Sequence, residues 1–148
     1  MKRLFSFAVV IVALAFAAVS LAAAPGHRVS ARLSTRVEVP KPVHTAKRAR
    51  GVFTARYVVH AKDVKLVWSL WFAHLTGRAT AATLSMGKPG LIGTPVTVLC
   101  KPCKSGKGAT SLLQKATAVP LRAGQLYVTV YTSRNPAGEL RGQILAKR

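Results

Sequence analysis

The sequence has very few acidic residues for its size. In 148 residues it contains 3 aspartates and glutamates against 23 lysines and arginines, which gives a formal net charge of +20 at pH 7. The acids are Glu38, Asp63 and Glu139. Carboxylates among so many cations have lowered pKa values, which suit neither a general acid nor a general base at neutral pH. No Ser–His–Asp arrangement, glycine-rich phosphate loop or metal-binding motif is readable. We therefore predict that the protein is not an enzyme and needs no cofactor.

The sequence also lacks a helical hydrophobic period beyond its first 24 residues. Apolar and polar residues alternate instead, in short runs separated by turn-forming residues, and this pattern predicts β-strands. About seven or eight short strands predict an all-β sandwich or barrel. The runs span residues 29–34, 51–60, 65–75, 80–86, 95–99, 111–113, 126–131 and 140–144, with a helical turn or loop at 119–124.

The one long apolar segment lies at the N-terminus. Lys2 and Arg3 precede an apolar run over residues 4–21, and alanines follow it at 22–24. This layout is typical of a secretory signal peptide. We predict a cleaved signal-peptide helix over residues 1–24 and a single domain over 25–148, with an uncleaved membrane anchor as the alternative. The protein is then expected outside the cytoplasm, secreted or in the cell envelope, with no stable membrane span once the signal is removed.

Lysine and arginine occur throughout the predicted domain rather than in one cluster. So high a charge attracts polyanions, and the expected partners are anionic polymers or a protein at the cell envelope. No recognition helix accompanies the charge, so sequence-specific nucleic-acid binding is not expected. Trp71 and Tyr131 are candidate contact residues. Trp71 lies on the strand face opposite Trp68 and Phe72, which are predicted core residues, and burial of Trp71 in a second layer is the alternative.

Four segments, in the right order, resemble the CHRD (chordin-like) domain family. They are Val-Glu-Val-Pro at 37–40 with Val-His-Thr at 43–45, Leu-Val-Trp at 66–68 with Leu-Thr-Gly at 75–77, Gly-Leu-Ile-Gly-Thr-Pro-Val at 90–96, and Asn-Pro-Ala-Gly-Glu-Leu-Arg-Gly-Gln at 135–143 in the closing hairpin. The resemblance implies an immunoglobulin-like, Greek-key antiparallel β-sandwich. It also implies structural roles for Glu38, Pro40, Asn135, Pro136, Gly138, Glu139, Arg141 and Gly142.

Within the closing motif, Glu139 and Arg141 are two residues apart on a predicted strand. Side chains at this spacing lie on the same face. We therefore expect them to share one salt-bridge or hydrogen-bond network that fixes the hairpin, with Glu38 or Arg50 nearby.

The chain departs from the family pattern at its histidines. Many family members carry Ala-His-Ile-His in the middle and Val-Asn-Val-His-Thr near the end. Here Thr83 and Ser85 stand at the two histidines of the first motif, and Thr129 and Tyr131 replace the Asn and His of the second. Hydroxyls are poor substitutes for imidazole as metal ligands. The resemblance therefore implies a divergent member, for which a metal-binding scaffold is a weakened alternative.

The two cysteines form the segment Cys100-Lys-Pro-Cys103. Oxidation is the expected state in an exported protein, and some bacterial family members carry a similar Cys-x-Pro-Cys loop, so we predict an intramolecular disulfide. A redox-active pair is the alternative, because Lys101, Lys104 and Lys107 would lower the pKa of a thiolate. The leading functional prediction is a secreted bacterial CHRD-like protein: a non-catalytic structural or binding module with a strongly basic surface.

Overall fold

The computed structural model describes residues 26–147, except for the side chains of residues 107–110. The predicted signal peptide, residues 1–24, lies outside the described residues. One short helix, α1 (Ala118–Arg122), and two 3₁₀ turns, Thr35–Val37 and Lys115–Thr117, accompany the strands. The strands are β1 (His27–Ser34), β2 (Arg50–Val59), β3 (Asp63–Ala73), β4 (Ala79–Met86), β5 (Thr94–Cys100), β6 (Gly106–Gln114), β7 (Leu126–Thr132), β8 (Leu140–Gln143) and β9 (Leu145–Ala146).

Eight of the strands form one continuous antiparallel sheet in the order β5-β4-β7-β8-β1-β2-β3-β6, and β9 pairs with β1 beside this path. The two ends of the order, β5 and β6, lie in contact, so the sheet is nearly closed on itself. The all-β prediction is confirmed, but the architecture differs from a sandwich of two separate sheets. A single curled sheet buries its apolar side and leaves little free edge for another chain to pair with.

The C-terminal segment joins the two halves of this sheet. β8 pairs with β7 along its length and meets β1 at one residue pair, Ser34 opposite Arg141. The chain then passes through the buried Ile144, and β9 pairs with β1 at Val29 and Ser30. We call this join between β1 and the β8–β9 segment the seam. The seam places family-motif residues of the closing hairpin beside the first strand of the domain.

Apolar residues that alternate along the strands fill the interior. β2 and β3 alternate between buried and exposed positions along most of their length. Leu66 and Leu70 are buried in the core, and Trp68 lies there too, as predicted. The Trp68 indole N–H donates to Ser111 Oγ at 3.1 Å, which satisfies its one polar atom. Phe72 is partly buried against the same core.

Two local predictions are refined by the structure. The short strand predicted at 111–113 is the end of the longer strand β6, and the helical turn predicted at 119–124 is α1. Within residues 26–147, no helix has the length and apolar character needed to cross a membrane.

Candidate functional site

The outer face of β7 is largely buried, although alternation of apolar and polar residues is typical of a strand with one buried and one exposed face. Leu126, Val128 and Val130 face the core, and Tyr127 and Thr129 on the other face are also buried. The loop at residues 87–93 covers part of this face, because the Gly93 N–H donates to the Tyr127 hydroxyl at 3.0 Å. One face of β7 therefore packs on the apolar core, and the other face packs on a buried layer that contains polar groups.

Glu139 is the centre of one polar cluster, which we call the Glu139 network: Thr76, Thr132, Asn135 and Glu139. The buried carboxylate accepts hydrogen bonds from the Thr76 N–H (2.7 Å) and hydroxyl (2.7 Å), the Thr132 hydroxyl (2.6 Å) and the Asn135 side-chain amide (3.1 Å). Burial alone would raise the pKa of Glu139, but the hydrogen bonds from Thr132, Thr76 and Asn135 outweigh it and lower the pKa. The carboxylate is therefore held in its charged form.

Asn135 extends the Glu139 network to the N-terminal segment. Its side-chain amide donates to the carbonyl oxygen of His44 at 2.8 Å, and its side-chain oxygen accepts from the His44 N–H at 3.0 Å. Three chain segments are thus tied together: the one before β2, the β3–β4 connection and the β7–β8 turn. These contacts are of the kind expected for the structural role that the family resemblance implies for Asn135 and Glu139, and that role stays a prediction. Pro136 lies exposed in the same turn.

Arg141 belongs to a different cluster. Its side chain is 2% exposed, and its guanidinium lies 3.5 Å from the centroid of the Tyr127 ring. Nη2 donates to the carbonyl oxygens of Lys88 (3.2 Å) and Leu91 (2.8 Å), whereas the buried Nη1 has no hydrogen-bond partner. The expectation that Glu139 and Arg141 share one network is therefore wrong. The physical reason is that Glu139 lies before the start of β8, where its carboxylate accepts from the hydroxyls of Thr76, in the β3–β4 connection, and Thr132, at the end of β7.

Glu38 lies near Arg141, as expected, and is almost completely buried. One carboxyl oxygen accepts from the Val39 N–H at 3.0 Å, and the other has no hydrogen-bond partner. Burial raises the pKa of Glu38 to about 7, against the lowering effects of the Val39 N–H and the Arg141 charge. The prediction that the carboxylates of so basic a chain have lowered pKa values is therefore wrong for Glu38. The carboxyl group packs on Gly138, where an added Cβ would lie 2.8 Å from Glu38 Cδ. Pro40, after Val39, is exposed.

Hydroxyl groups occupy the positions at which the family pattern has histidines. Thr83 Oγ1 lies 3.2 Å from the Tyr131 hydroxyl and 3.4 Å from Ser85 Oγ. Thr129, directly opposite Thr83 in the β4–β7 ladder, is buried nearby. The structure thus brings together residues that lie far apart in the sequence. Among the described residues, no group of three or more His, Cys, Asp or Glu side chains is placed to hold a metal ion.

Cys100 and Cys103 form the predicted disulfide, with their Cα atoms 5.1 Å apart. Cys100 ends β5, and the segment that follows Cys103 leads into strand β6 rather than into a helix. A helix N-terminus is one of the features that lower the pKa of a reactive thiolate. This position therefore fits a disulfide that fastens a connection between strands.

The structure separates the two candidate contact residues. Trp71 is 44% exposed, which excludes burial in a second layer, and the Arg50 guanidinium lies 5.7 Å from its ring centroid. Tyr131 is only partly buried, and its hydroxyl is engaged by Thr83. Trp71 is on β3 and Tyr131 on β7, with β8, β1 and β2 between them in the sheet order. They do not belong to one contact surface.

The charged side chains are distributed by sign: the positive ones lie mostly at the surface, and the negative ones are buried or partly buried. Every lysine and arginine whose side chain the structure describes is exposed, except Arg141. Glu38 and Glu139 are buried and Asp63 is partly buried. Within the described part of the chain, the fully exposed charged side chains are all positive.

Sequence patterns do not reveal the roles of several residues in these clusters. Thr76 and Tyr127 carry essential contacts of the two polar clusters but look like ordinary strand or loop residues. The available signal for Thr76 is its position inside the Leu-Thr-Gly segment at 75–77. The signal for Tyr127 is its position at the start of the Tyr-Val-Thr-Val-Tyr-Thr segment at 127–132, but its partners come from a loop whose path the sequence does not reveal.

Comparison with known proteins identifies the family. The family model of the CHRD domain matches residues 29–144, which run from β1 to the residue after β8 and include both polar clusters. No curated protein and no solved structure matches the chain. CHRD domains are non-enzymatic as a class and are typically extracellular. The chain belongs to the CHRD domain family.

Proposed function

We propose that the protein is a non-catalytic module outside the cytoplasm that binds an anionic polymer of the cell envelope through its basic surface. In this proposal it is a divergent, secreted bacterial member of the family. The observation that carries the proposal is the outward distribution of positive charge: all described lysines and arginines but one face solvent, while two of the three acids are buried.

The exposed cations have few internal partners. Glu139 is occupied by hydroxyl and amide donors, and Glu38 lies inside the domain near Arg141. The surface charge is therefore balanced by ions from solution or by a polyanion. A polyanion that displaces those ions gains affinity from their release, and this gain weakens as salt is added.

The surface also offers a place where charge and contact area coincide. Trp71 is exposed beside the Arg50 guanidinium, and Val52, opposite Trp71 in the β2–β3 ladder, is exposed as well. Exposed aromatic and cationic groups side by side provide contacts that a purely electrostatic surface lacks. This patch supports selectivity for one polymer over others of similar charge density.

Glu139 and the two cysteines favour binding over catalysis. Glu139 is saturated with hydrogen bonds and has a lowered pKa, so it is a poor proton donor or acceptor near neutral pH. The two cysteines are joined in a disulfide that leads into a strand. These features support a scaffold that presents a surface.

Binding to a panel of immobilised polymers tests the proposal. The oxidised protein is applied to teichoic acid, heparin, double-stranded DNA and a neutral glycan, and eluted with rising salt. We expect retention on one anionic polymer near physiological ionic strength, after the others have been lost. Trp71→Ala should reduce that retention more than Leu112→Ala, which removes another exposed apolar side chain on β6. Elution from all anionic polymers at the same low salt would mean nonspecific electrostatics, and an acidic protein partner would then be sought.

The compartment requires its own test. We expect the mature protein to be recovered outside the cytoplasm, with an N-terminus close to residue 25. Mass spectrometry of the intact protein from fractionated cells measures this directly. Recovery of the full-length chain from the membrane fraction would favour the uncleaved anchor.

A further inference from the structure

The outer side of the seam contains a cavity of about 630 Å³, which we call the seam cavity. Its walls come from four parts of the chain: the outward face of β1, the 3₁₀ turn and following residues up to Lys41, the loop residues Pro89 and Gly90, and the β8–β9 segment. The cavity lies beside an interruption in strand pairing, since β1 pairs with β8 at Ser34 and with β9 at Val29 and Ser30. Its size is that of a site for one small molecule.

Four cations and no acid line the seam cavity. Arg32, Arg36 and Lys41 are exposed at its walls, and the Lys41 ammonium donates to the carbonyl oxygen of Arg36. Arg141 forms part of the wall as a buried guanidinium whose position is fixed by the carbonyls of residues 88 and 91. One nitrogen of that guanidinium, Nη1, is buried and has no hydrogen-bond partner among the described residues, so Arg141 adds positive charge to the wall but no accessible donor. The Glu38 carboxyl, which also has one oxygen without a partner, lies near this charge.

The same cavity has an apolar component. Val37 is 50% exposed and Leu145 is 59% exposed, and both line the cavity together with Val39 and Pro89. An ion such as free phosphate would use the cations but leave these side chains in water. A neutral hydrocarbon would cover the apolar side chains but leave the cations without counter-charge. A ligand that satisfies both parts carries an anionic head and an apolar chain.

We propose that the seam cavity binds a single-chain amphiphilic anion, with its phosphate or carboxylate head between Arg32 and Arg36, near the buried charge of Arg141, and its alkyl chain against Val37 and Leu145. The occupant is one molecule withdrawn from solution or from a membrane, not the surface of a bilayer. This site goes beyond the proposed function, because it is a discrete cavity rather than the whole basic surface, and it does not depend on polymer binding.

The test measures binding of defined probes to the oxidised protein by calorimetry. Dodecyl phosphate and laurate, both below their critical micelle concentrations, supply head and chain. Inorganic phosphate supplies the head alone, and dodecyl maltoside supplies the chain without charge. We expect one-to-one binding of dodecyl phosphate and laurate, at least tenfold tighter than either partial probe. Amide resonances of residues 30–41 and 141–145 should shift on binding.

Charge-matched variants place the site. Arg32→Gln with Arg36→Gln removes two exposed cations of the cavity, and Arg28→Gln with Arg56→Gln removes two exposed cations outside it. We expect the first pair to weaken dodecyl phosphate binding by tenfold or more and the second pair by less than twofold. Val37→Asn should weaken it more than Val43→Asn, a change at an exposed valine that does not line the cavity.

Three outcomes would overturn the proposal. Equal weakening by both arginine pairs would show diffuse electrostatics. Inorganic phosphate binding as tightly as dodecyl phosphate would show that the apolar wall contributes nothing. Adsorption to phosphatidylglycerol vesicles without binding of the monomeric probes would show surface attraction rather than a cavity ligand. Circular dichroism of each variant confirms that a loss of binding is not a loss of fold.

Discussion

The two buried carboxyl groups of the family motifs, Glu38 and Glu139, have pKa values shifted in opposite directions. Glu139 accepts hydrogen bonds at both oxygens, which stabilise its charged form and lower its pKa. Glu38 has one oxygen without a partner, and burial raises its pKa to about 7. The resemblance of the sequence to the family implies a structural role for both residues. It does not distinguish them, because the difference arises from Thr76 and Thr132, whose hydroxyls reach Glu139 from separate segments.

The two carboxylates should affect stability with opposite dependence on pH. The contribution of Glu38, whose folded pKa lies above its ordinary value of 4.5, is complete below that value and is lost as pH rises through about 7. The contribution of Glu139, whose folded pKa lies below 4.5, is present above that value and is lost as pH falls. Glu38→Gln should therefore gain stability relative to the wild type between pH 4.5 and 8, by up to about 3 kcal/mol. Glu139→Gln should lose on the order of 2 kcal/mol at pH 7, and less in acid.

Urea unfolding of both variants and the wild type at several pH values measures these differences. Each variant serves as the control for the other, since both exchange one buried carboxylate for an amide. A Glu38→Gln difference that does not change between pH 4.5 and 8 would contradict the raised pKa of Glu38.

Gly142 is required by the close approach of two strands. A Cβ at this position would lie 2.5 Å from the carbonyl oxygen of Arg32, a backbone atom that cannot turn away. Gly142→Ala should lower the free energy of unfolding by about 1–3 kcal/mol. Gly106→Ala is the matched control, because nothing lies within 4 Å of the Cβ that it adds. Equal stability of the two variants, measured by thermal or urea unfolding, would show that β1 and β8 do not meet as described.

At the scale of elements, alternation and turn residues predict the strands well but not their surroundings. Runs of alternating residues identify β2, β3 and β7, because each has an apolar face toward a core. The same rule makes the outer face of β7 exposed, and there it is wrong. The loop at 87–93 covers that face through contacts with Tyr127 and Arg141. Those contacts join residues far apart in the sequence and leave no local pattern.

The disulfide is expected to stabilise one connection without taking part in function. Closing so short a loop contributes about 2 kcal/mol in the chain-entropy account. The double variant Cys100→Ser, Cys103→Ser should therefore unfold at lower denaturant concentration and bind polymers like the wild type. The free energy of unfolding and the polymer retention of both proteins measure this. If the double variant kept its stability but lost polymer retention, the redox alternative would be favoured. Ready reduction of the wild-type disulfide by mild thiol reagents would favour it too.

At the scale of the whole molecule, the structure adds the near closure of the sheet and the distribution of charge to what the sequence predicts. Sequence patterns predict an all-β domain but not its near closure, because closure depends on the C-terminal segment passing from β7 to β1 at the seam. Composition predicts a basic protein, and the structure adds that two of its three acids are buried. The seam cavity lies beyond sequence analysis, since Arg32, Lys41 and Arg141 come together only when the sheet curls.

The central claim is that the basic surface recognises an anionic polymer rather than attracting all of them equally. The most direct measurement is the dissociation constant of the oxidised protein for teichoic acid, heparin and double-stranded DNA at about 0.15 M salt, where screening suppresses long-range attraction. The account predicts that one of the three binds at least tenfold more tightly than the other two. Three dissociation constants that are similar at this salt and rise together as more salt is added would contradict it.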